Sequence, residues 1–517
     1  MIRRLLVALL VATTILAAGC ATTSQKPTRF KILQINDVYK IEGLEGGQVG
    51  GLARVRTLRK LLESDGTPVF VMHGGDALFP SVMSKYLDAR PMIDVMNLLD
   101  GDANKFDSSL LVGFGNHELD KSDDKVLLAR LKESQFVWVV SNTYHCKTKD
   151  DCQPFRTMAD SVSEVFELDA GNDVRVGVMG LLYPIDRGYA RASDPIYEAR
   201  DVHSALMDSG SDFVIAITHQ DLRDDVRLVQ EVPGIDLVIG GHDHLFSQQT
   251  VGNTWITKAD ADARSVIVYD VTIDEKGDMR TVPLRVVLDS TMPKDTVVDA
   301  RVQEWMATLT EKLGGNETVG TTKNLLEGVE PAVRGRETAL GNLLMDAARE
   351  QMGTDVAVLN GGSIRINDNI PPGPITRYDM EGVFYYTNSL VAFPVTGQQL
   401  LDMLHNSVSR VDAGDGRFLQ ISGFRFKYHL RDGKYVVDAA DVEVGGKPLD
   451  VNATYSMSTI DFVYLRGTED GYTLFGDATR PPKINTEREA DFRTTVEKYI
   501  RAQGTVTQAI EGRIVRR

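Results

Sequence analysis

Once the first twenty residues are passed, this 517-residue chain has no apolar run of membrane-spanning length, so its body is expected to be soluble. Positive charge is also short. The 57 Lys and Arg face 73 Asp and Glu, a formal charge of -16, which repels polyanions and argues against a sequence-independent grip on DNA or RNA. An anionic substrate would therefore need locally concentrated cations or metal. Cysteine is nearly absent, with three copies at Cys20, Cys146 and Cys152. The last two lie in the polar segment from His145 to Pro154. In an oxidising compartment they could close a small loop disulfide, and the alternative is two unpaired thiols. Low-complexity sequence is missing beyond the N-terminal region, and the second half does not repeat the polar motifs of the first.

What is present begins at the N-terminus. Arg3 and Arg4 precede an apolar stretch from Leu5 to Ile15, followed by Leu16-Ala17-Ala18-Gly19-Cys20, the layout of a secretory signal. It resembles a bacterial lipoprotein signal, which implies an acylated Cys20, a polar tether, and a lipid anchor on the periplasmic face of an envelope membrane, with outer-membrane sorting. The length suits two large domains. The expected division is a signal over 1–19, a tether over 20–28, a first domain over 29–290, a linking helix over 291–314 and a second domain over 315–517.

From Arg29 the chain alternates apolar strand-like runs with longer helical segments, which predicts a layered α/β domain. Five runs end in polar motifs: Phe30 to Ile35 before Asn36-Asp37, Val69 to Met72 before His73-Gly74-Gly75-Asp76, and Leu110 to Val112 before Gly115-Asn116-His117-Glu118. Phe213 to Thr218 runs into His219, and Asp236 to Ile239 into Gly240-Gly241-His242-Asp243-His244. The polar groups thus fall at the carboxyl ends of strands, where α/β sheets collect ligands. Further strands are expected from Ser265 to Leu288, and apolar residues at Val297, Val298, Val302, Trp305, Met306 and Leu309 predict one amphipathic helix between the domains.

Asp37, Asp76, Asn116, His219, His242 and His244 offer hard oxygen and imidazole ligands without a thiolate, a set suited to two divalent ions (Mn, Zn, Co or Fe) rather than a structural zinc site. Asp76 is the candidate bridging aspartate. His73, His145, His203, His405 and His429 carry no such pattern and are read as structural.

Gly75-Asp76, Gly115-Asn116-His117-Glu118 and Gly241-His242-Asp243-His244, in that order, resemble the calcineurin-like metallophosphoesterases. Arg334-Gly335-Arg336-Glu337-Thr338, Gly341-Asn342 and Asn360-Gly361-Gly362-Ser363-Ile364-Arg365 resemble the C-terminal domain of 5′-nucleotidases and UDP-sugar hydrolases. The resemblance implies a four-layer α/β/β/α sandwich followed by a second α/β substrate-binding domain. It also implies that Asp37, Asp76 and His244 hold one ion, while Asp76, Asn116, His219 and His242 hold the other. His117 would steady the phosphate, oriented by Asp120, and Glu118 would support its loop. Arg334 and Arg365 would clamp the anionic end, Tyr386 and Tyr464 would sandwich the base, and Asn360, Asn388 and Asp470 would hold base or ribose. One position departs from the pattern, since Tyr39 stands where the family usually carries a histidine; it either ligates as a phenolate or fills the space. The implied reaction is in-line hydrolysis of nucleoside 5′-phosphates by metal-activated water. Rivals are UDP-sugar hydrolysis, 2′,3′-cyclic nucleotide phosphodiesterase activity, a thiosulfohydrolase, and a weakly active nucleotide-binding lipoprotein.

Overall fold

The computed structural model describes residues 27–517. The signal, Cys20 and most of the tether lie outside the described residues. Among those described, no helix is long and apolar enough to cross a membrane.

The first domain is built on two facing sheets. Parallel strands Thr28–Ile35, Val69–His73, Asp107–Gly113 and Phe136–Val139 are neighbours in an eight-stranded sheet, with Ser265–Ile273 antiparallel beside the first. A six-stranded sheet runs Ser247–Val251, Thr254–Lys258, Leu237–Gly241, Phe213–His219, Val174–Leu182, Val165–Gly171. Alternate side chains explain the stacking. Phe30, Ile32, Phe70, Met72 and Leu111 of one sheet meet Val176, Val178, Ile215, Ile217 and Ile239 of the other. The opposite faces are covered by helices. Leu33, Val71, Leu110 and Val112 pack under Leu52–Glu63, Arg90–Met96 and Thr296–Lys312, while Val214, Ala216 and Val238 pack under Pro195–Ser209 and Leu222–Glu231. The order is therefore helix, sheet, sheet, helix.

The five motif-bearing strands are divided three and two between the sheets, so the polar loops converge across a seam rather than along one sheet edge. Periodicity reports which residues alternate, not which sheet a strand joins. Apart from these two sheets, Tyr144, His145 and Cys146 lie in a four-stranded sheet in which Cys146 and Cys152 form a disulfide.

The predicted linking helix spans Thr296–Lys312 and is capped by Asp295, whose carboxylate accepts from the N–H groups of Val297 and Val298 at 3.1 and 3.2 Å. Its buried residues Val298, Val302 and Leu309 belong to the first domain's core, and Trp305 donates to Asp94 at 2.7 Å. The helix is thus fixed to the first domain. The change of domain follows at Gly314 and Gly315, which have φ of 73° and 112°, a conformation that glycine adopts without steric cost.

The second domain centres on the four-stranded sheet Leu390–Thr396, Thr454–Ile460, Val356–Asn360, Leu419–Ser422, covered by Ala339–Met352 and Gly397–Val408. Its own core runs from Leu340 and Leu343 to Phe393 and Leu404.

Candidate metal centre and substrate cleft

The seam loops bend back sharply. Asp37, Asp76, His242 and His244 all have positive φ, at 52°, 57°, 82° and 59°, a conformation that costs a non-glycine residue energy and is retained where surrounding structure imposes it. Gly75 and Gly241 permit the close approach, because a Cβ at Gly75 would meet the His219 ring and one at Gly241 the Gly74 carbonyl.

The structure brings Asp37, Asp76 and His219 together, with one ligand atom from each within 4.8 Å of the others and all three buried. His219 donates from Nδ1 to the Gly74 carbonyl at 2.7 Å, leaving Nε2 3.2 Å from Asp76. His244 Nε2 lies 3.3 Å from Asp37 Oδ1. The His242 backbone N–H donates to Asp37 Oδ2 at 3.0 Å, and its ring centre is 5.1 Å from that of His219. Asn116 is buried beside them. Asn116 Oδ1 is buried without a hydrogen-bond partner, which native structures avoid unless a ligand or ion serves the atom. Together with the oxygen and imidazole donor set, that orphaned atom fits divalent ions.

Charge is strongly coupled here. Burial alone would raise the Asp76 carboxyl, but the imidazoles of His219 and His117 outweigh it and hold it far below the usual carboxylate range. Burial lowers His219, yet Asp76 and Asp37 lift it to about 9. Tyr39 occupies the same space. Its hydroxyl lies 3.2 Å from Asp37 Oδ1, 3.0 Å from Asp76 Oδ2 and 2.9 Å from His244 Nε2. Burial first, then the charges of Asp76 and Asp37, push the phenol well above its usual value. The hydroxyl therefore stands among these side chains as a neutral oxygen.

His117 begins the turn after Asn116. Its Nδ1 is 2.8 Å from Asp120 Oδ2, and its backbone N–H donates to Asp76 Oδ1 at 2.8 Å. Both side chains face a cleft of about 1050 Å³ between the domains. From the second domain the cleft is lined by Arg334, Asn360, Arg365, Tyr386, Asn388 and Asp470. Asn360 donates to Asp470 at 3.0 Å, and Asn388 Nδ2 to its neighbour Tyr386's carbonyl at 3.4 Å. The Nε atoms of Arg334 and Arg365 are buried and unpartnered.

Tyr464 is not part of this cleft. Its ring is buried against Phe393 and Phe475, and its hydroxyl donates to the Pro481 carbonyl at 2.8 Å. The aromatic residues that line the cleft are Tyr385, Tyr386 and Phe462. Phe462 and Tyr464 lie on the same helix, Asp461–Arg466, where two positions differ by about 200° of rotation; one therefore faces the cleft and the other the core. Tyr464, expected to pair with Tyr386, thus stays in the core, and Phe462 lines the cleft in its place.

Residues 30–246 match the family described as calcineurin-like phosphoesterase, and residues 318–477 match the 5′-nucleotidase C-terminal domain. The chain belongs to the 5′-nucleotidase family. A snake venom 5′-nucleotidase from Naja atra is 26% identical over 517 residues, covering 90% of this chain and 93% of that protein. A Vibrio vulnificus 5′-nucleotidase is 25% identical, covering 94% of each. A trifunctional nucleotide phosphoesterase from Bacillus subtilis is 30% identical over 318 residues, but this chain spans only 21% of it. The fold matches the crystal structure of a 5′-nucleotidase precursor from Thermus thermophilus, with a TM-score of 0.75, 24% identity, and coverage of 94% and 99%.

Of the residues around this family member's site, Glu118 was expected from the sequence, whereas Lys258 and Glu330 were not. Glu118 does support its loop, accepting from the N–H groups of Asp76, Ala77, Leu78 and Gly115 at 3.0, 2.7, 3.0 and 2.5 Å. Lys258, wholly buried, pairs with Asp225 at 3.1 Å and with Asp243, fixing the residue between His242 and His244. Glu330 pairs with Arg334 at 2.7 Å and Arg365 at 3.2 Å, and also contacts His244. Its burial is outweighed by Arg334 and His244, which hold its carboxyl well below the usual range. Spacing from Glu330 to Arg334 is the helical i,i+4 pairing, the one signal in the sequence that could have pointed to it.

Proposed function

We propose that this chain hydrolyses nucleoside 5′-phosphates to nucleoside and inorganic phosphate, as the relatives' names suggest for them, and that it does so with two divalent ions. The observation that carries the reading is that one cleft is walled by His117 and Asp120 from the metal-loop domain and by Arg334, Arg365, Tyr386 and Phe462 from the other. Asp37, Asp76 and His244 would hold one ion, and Asp76, Asn116, His219 and His242 the other. Ions so held would polarise the phosphoryl oxygens and lower the pKa of the attacking water.

The protein's own groups do the rest. Arg334 and Arg365 offer guanidinium donors to the anionic end, fixing the phosphorus in line. His117, steadied by Asp120, donates to oxygens that gain charge in the transition state. Tyr386 and Phe462 present ring faces to the base, which stacking accepts without regard to its identity. A cleft of about 1050 Å³ stands at the top of the usual range for small-ligand sites. That favours UDP-sugar hydrolysis as the second reading.

Phosphate release from AMP, UMP, UDP-glucose, 2′,3′-cyclic AMP and bis-p-nitrophenyl phosphate by the chelated and then metal-loaded chain tests this. Metal-dependent turnover of the mononucleotides, lost in His117→Ala, is expected. Turnover of only the cyclic or diester substrates would overturn it.

The proposed location is the periplasmic face of an envelope membrane, with the lipid on Cys20 and with Ala21 after it favouring the outer membrane. Supports are the N-terminal pattern and the Cys146–Cys152 disulfide, which suits an oxidising compartment. Labelling with a radioactive fatty acid should mark the chain and fail in Cys20→Ser; equal labelling of both would sink the anchor.

A further inference from the structure

Glu330 belongs to the second domain, yet one of its two carboxylate oxygens reaches the first. It is 4% exposed and stands at the start of the short helix Glu330–Val333. Oε1 pairs with Arg334 and Arg365 of its own domain, while Oε2 lies against Nδ1 of His244 across the domain boundary. The other ring nitrogen of His244 points the opposite way, 3.3 Å from Asp37 and 2.9 Å from the Tyr39 hydroxyl. His219 shows the same two-sided arrangement, with Nδ1 on the Gly74 carbonyl and Nε2 toward Asp76. Gly74, however, lies within the first domain. His244 is the site histidine whose outer nitrogen meets the other half of the molecule.

A carboxylate on the outer nitrogen of a metal-binding imidazole selects its tautomer, fixes the ring and raises its basicity. We propose that Glu330 is a positioning residue that makes the ion held by His244 depend on docking of the second domain. This rests on the metal-dependent reading of the site given above. With the domains together, His244 has a charged partner behind it; with them apart, that partner leaves along with Arg334 and Arg365. Metal retention and anion binding are thereby tied to one carboxylate.

Docking itself does not hang on Glu330. Lys40 pairs with Asp368 at 3.0 Å, Asn367 donates to Asp262 at 2.9 Å, and Lys85 donates to the Tyr385 carbonyl at 2.9 Å, all between domains. These contacts supply a control.

The test is Co(II) titration of the chelated full chain, read by its visible absorption, for the wild type, Glu330→Ala, Glu330→Gln and Asp368→Asn. Thermal melting checks that each variant folds. Glu330→Ala is expected to weaken binding of one Co(II) about 10- to 100-fold and to change its ligand-field bands. Glu330→Gln, which keeps an acceptor oxygen, should fall between, and Asp368→Asn should match the wild type. Wild-type affinity and spectrum in Glu330→Ala would overturn the proposal, as would an equal loss in Asp368→Asn, which would assign the effect to docking in general. A wild type that binds no Co(II) would instead defeat the metal-dependent reading beneath it.

Discussion

A single side chain's direction decides the aromatic prediction. Phe462 faces the cleft and Tyr464 the core, so Phe462→Ala should raise KM for a nucleotide about 10-fold, the scale of one lost base stack, with kcat nearly unchanged. Tyr464→Ala should instead lower the melting temperature, because it removes a buried ring. Steady-state kinetics and calorimetry separate the two. His117→Ala should cut kcat about 100- to 10,000-fold with little change in KM, since its effect belongs to the transition state. The candidate ligands could be singled out in the sequence because each follows an apolar run at a strand end. Phe462 could not, because helical phase over a six-residue segment cannot be fixed without the packing that sets it. Glu330 was hidden for a different reason: its partner His244 lies 86 positions away in sequence, taking the difference of the two residue numbers.

Secondary-structure elements were read more fully than their assembly. The strand runs, the amphipathic helix before Gly314 and the alternation of strand and helix all follow from apolar spacing. Division of the motif strands between two sheets does not, since both kinds of strand carry the same buried pattern. Two predictions belong here. The disulfide closes a sequence separation of 6, so replacing Cys146 and Cys152 by Ser should cost about 2 kcal/mol by loop entropy, measured by denaturant unfolding. Asp236, ahead of the strand Leu237–Gly241, has its carboxyl raised by burial, which the Val214 N–H donating to it at 2.9 Å and the charge of His203 offset in part. A raised folded-state pKa means that stability is fully present below the unfolded pKa and is lost as pH rises through the folded one. Asp236→Asn should therefore melt higher than the wild type at pH 8, and the difference should vanish below about pH 4, near the unfolded carboxyl value.

At the scale of the whole molecule, the buried carboxylates of Asp37 and Asp76 lie close together at the ends of two neighbouring strands of one sheet. Bound cations would relieve that repulsion and add stability by mass action, about 2.7 kcal/mol at a hundred times Kd. Chelation should lower the melting temperature and added Mn or Zn should restore it; a melting curve indifferent to chelator would contradict the metal assignment. Two-domain organisation was readable from length and from the change of motifs, whereas the docking contacts around Asp368 were not, because surface polar residues look alike before folding.

The passage at Gly314 and Gly315 also bears on descent. Since the chain crosses there once, and the groups that cut lie before it while those that choose lie after it, substitutions can revise what the cleft accepts without disturbing the loops that do chemistry. Glu330 is where that independence ends. A lineage altering it would change selectivity and metal retention together, so substitutions at this position should travel with compensating changes around His244.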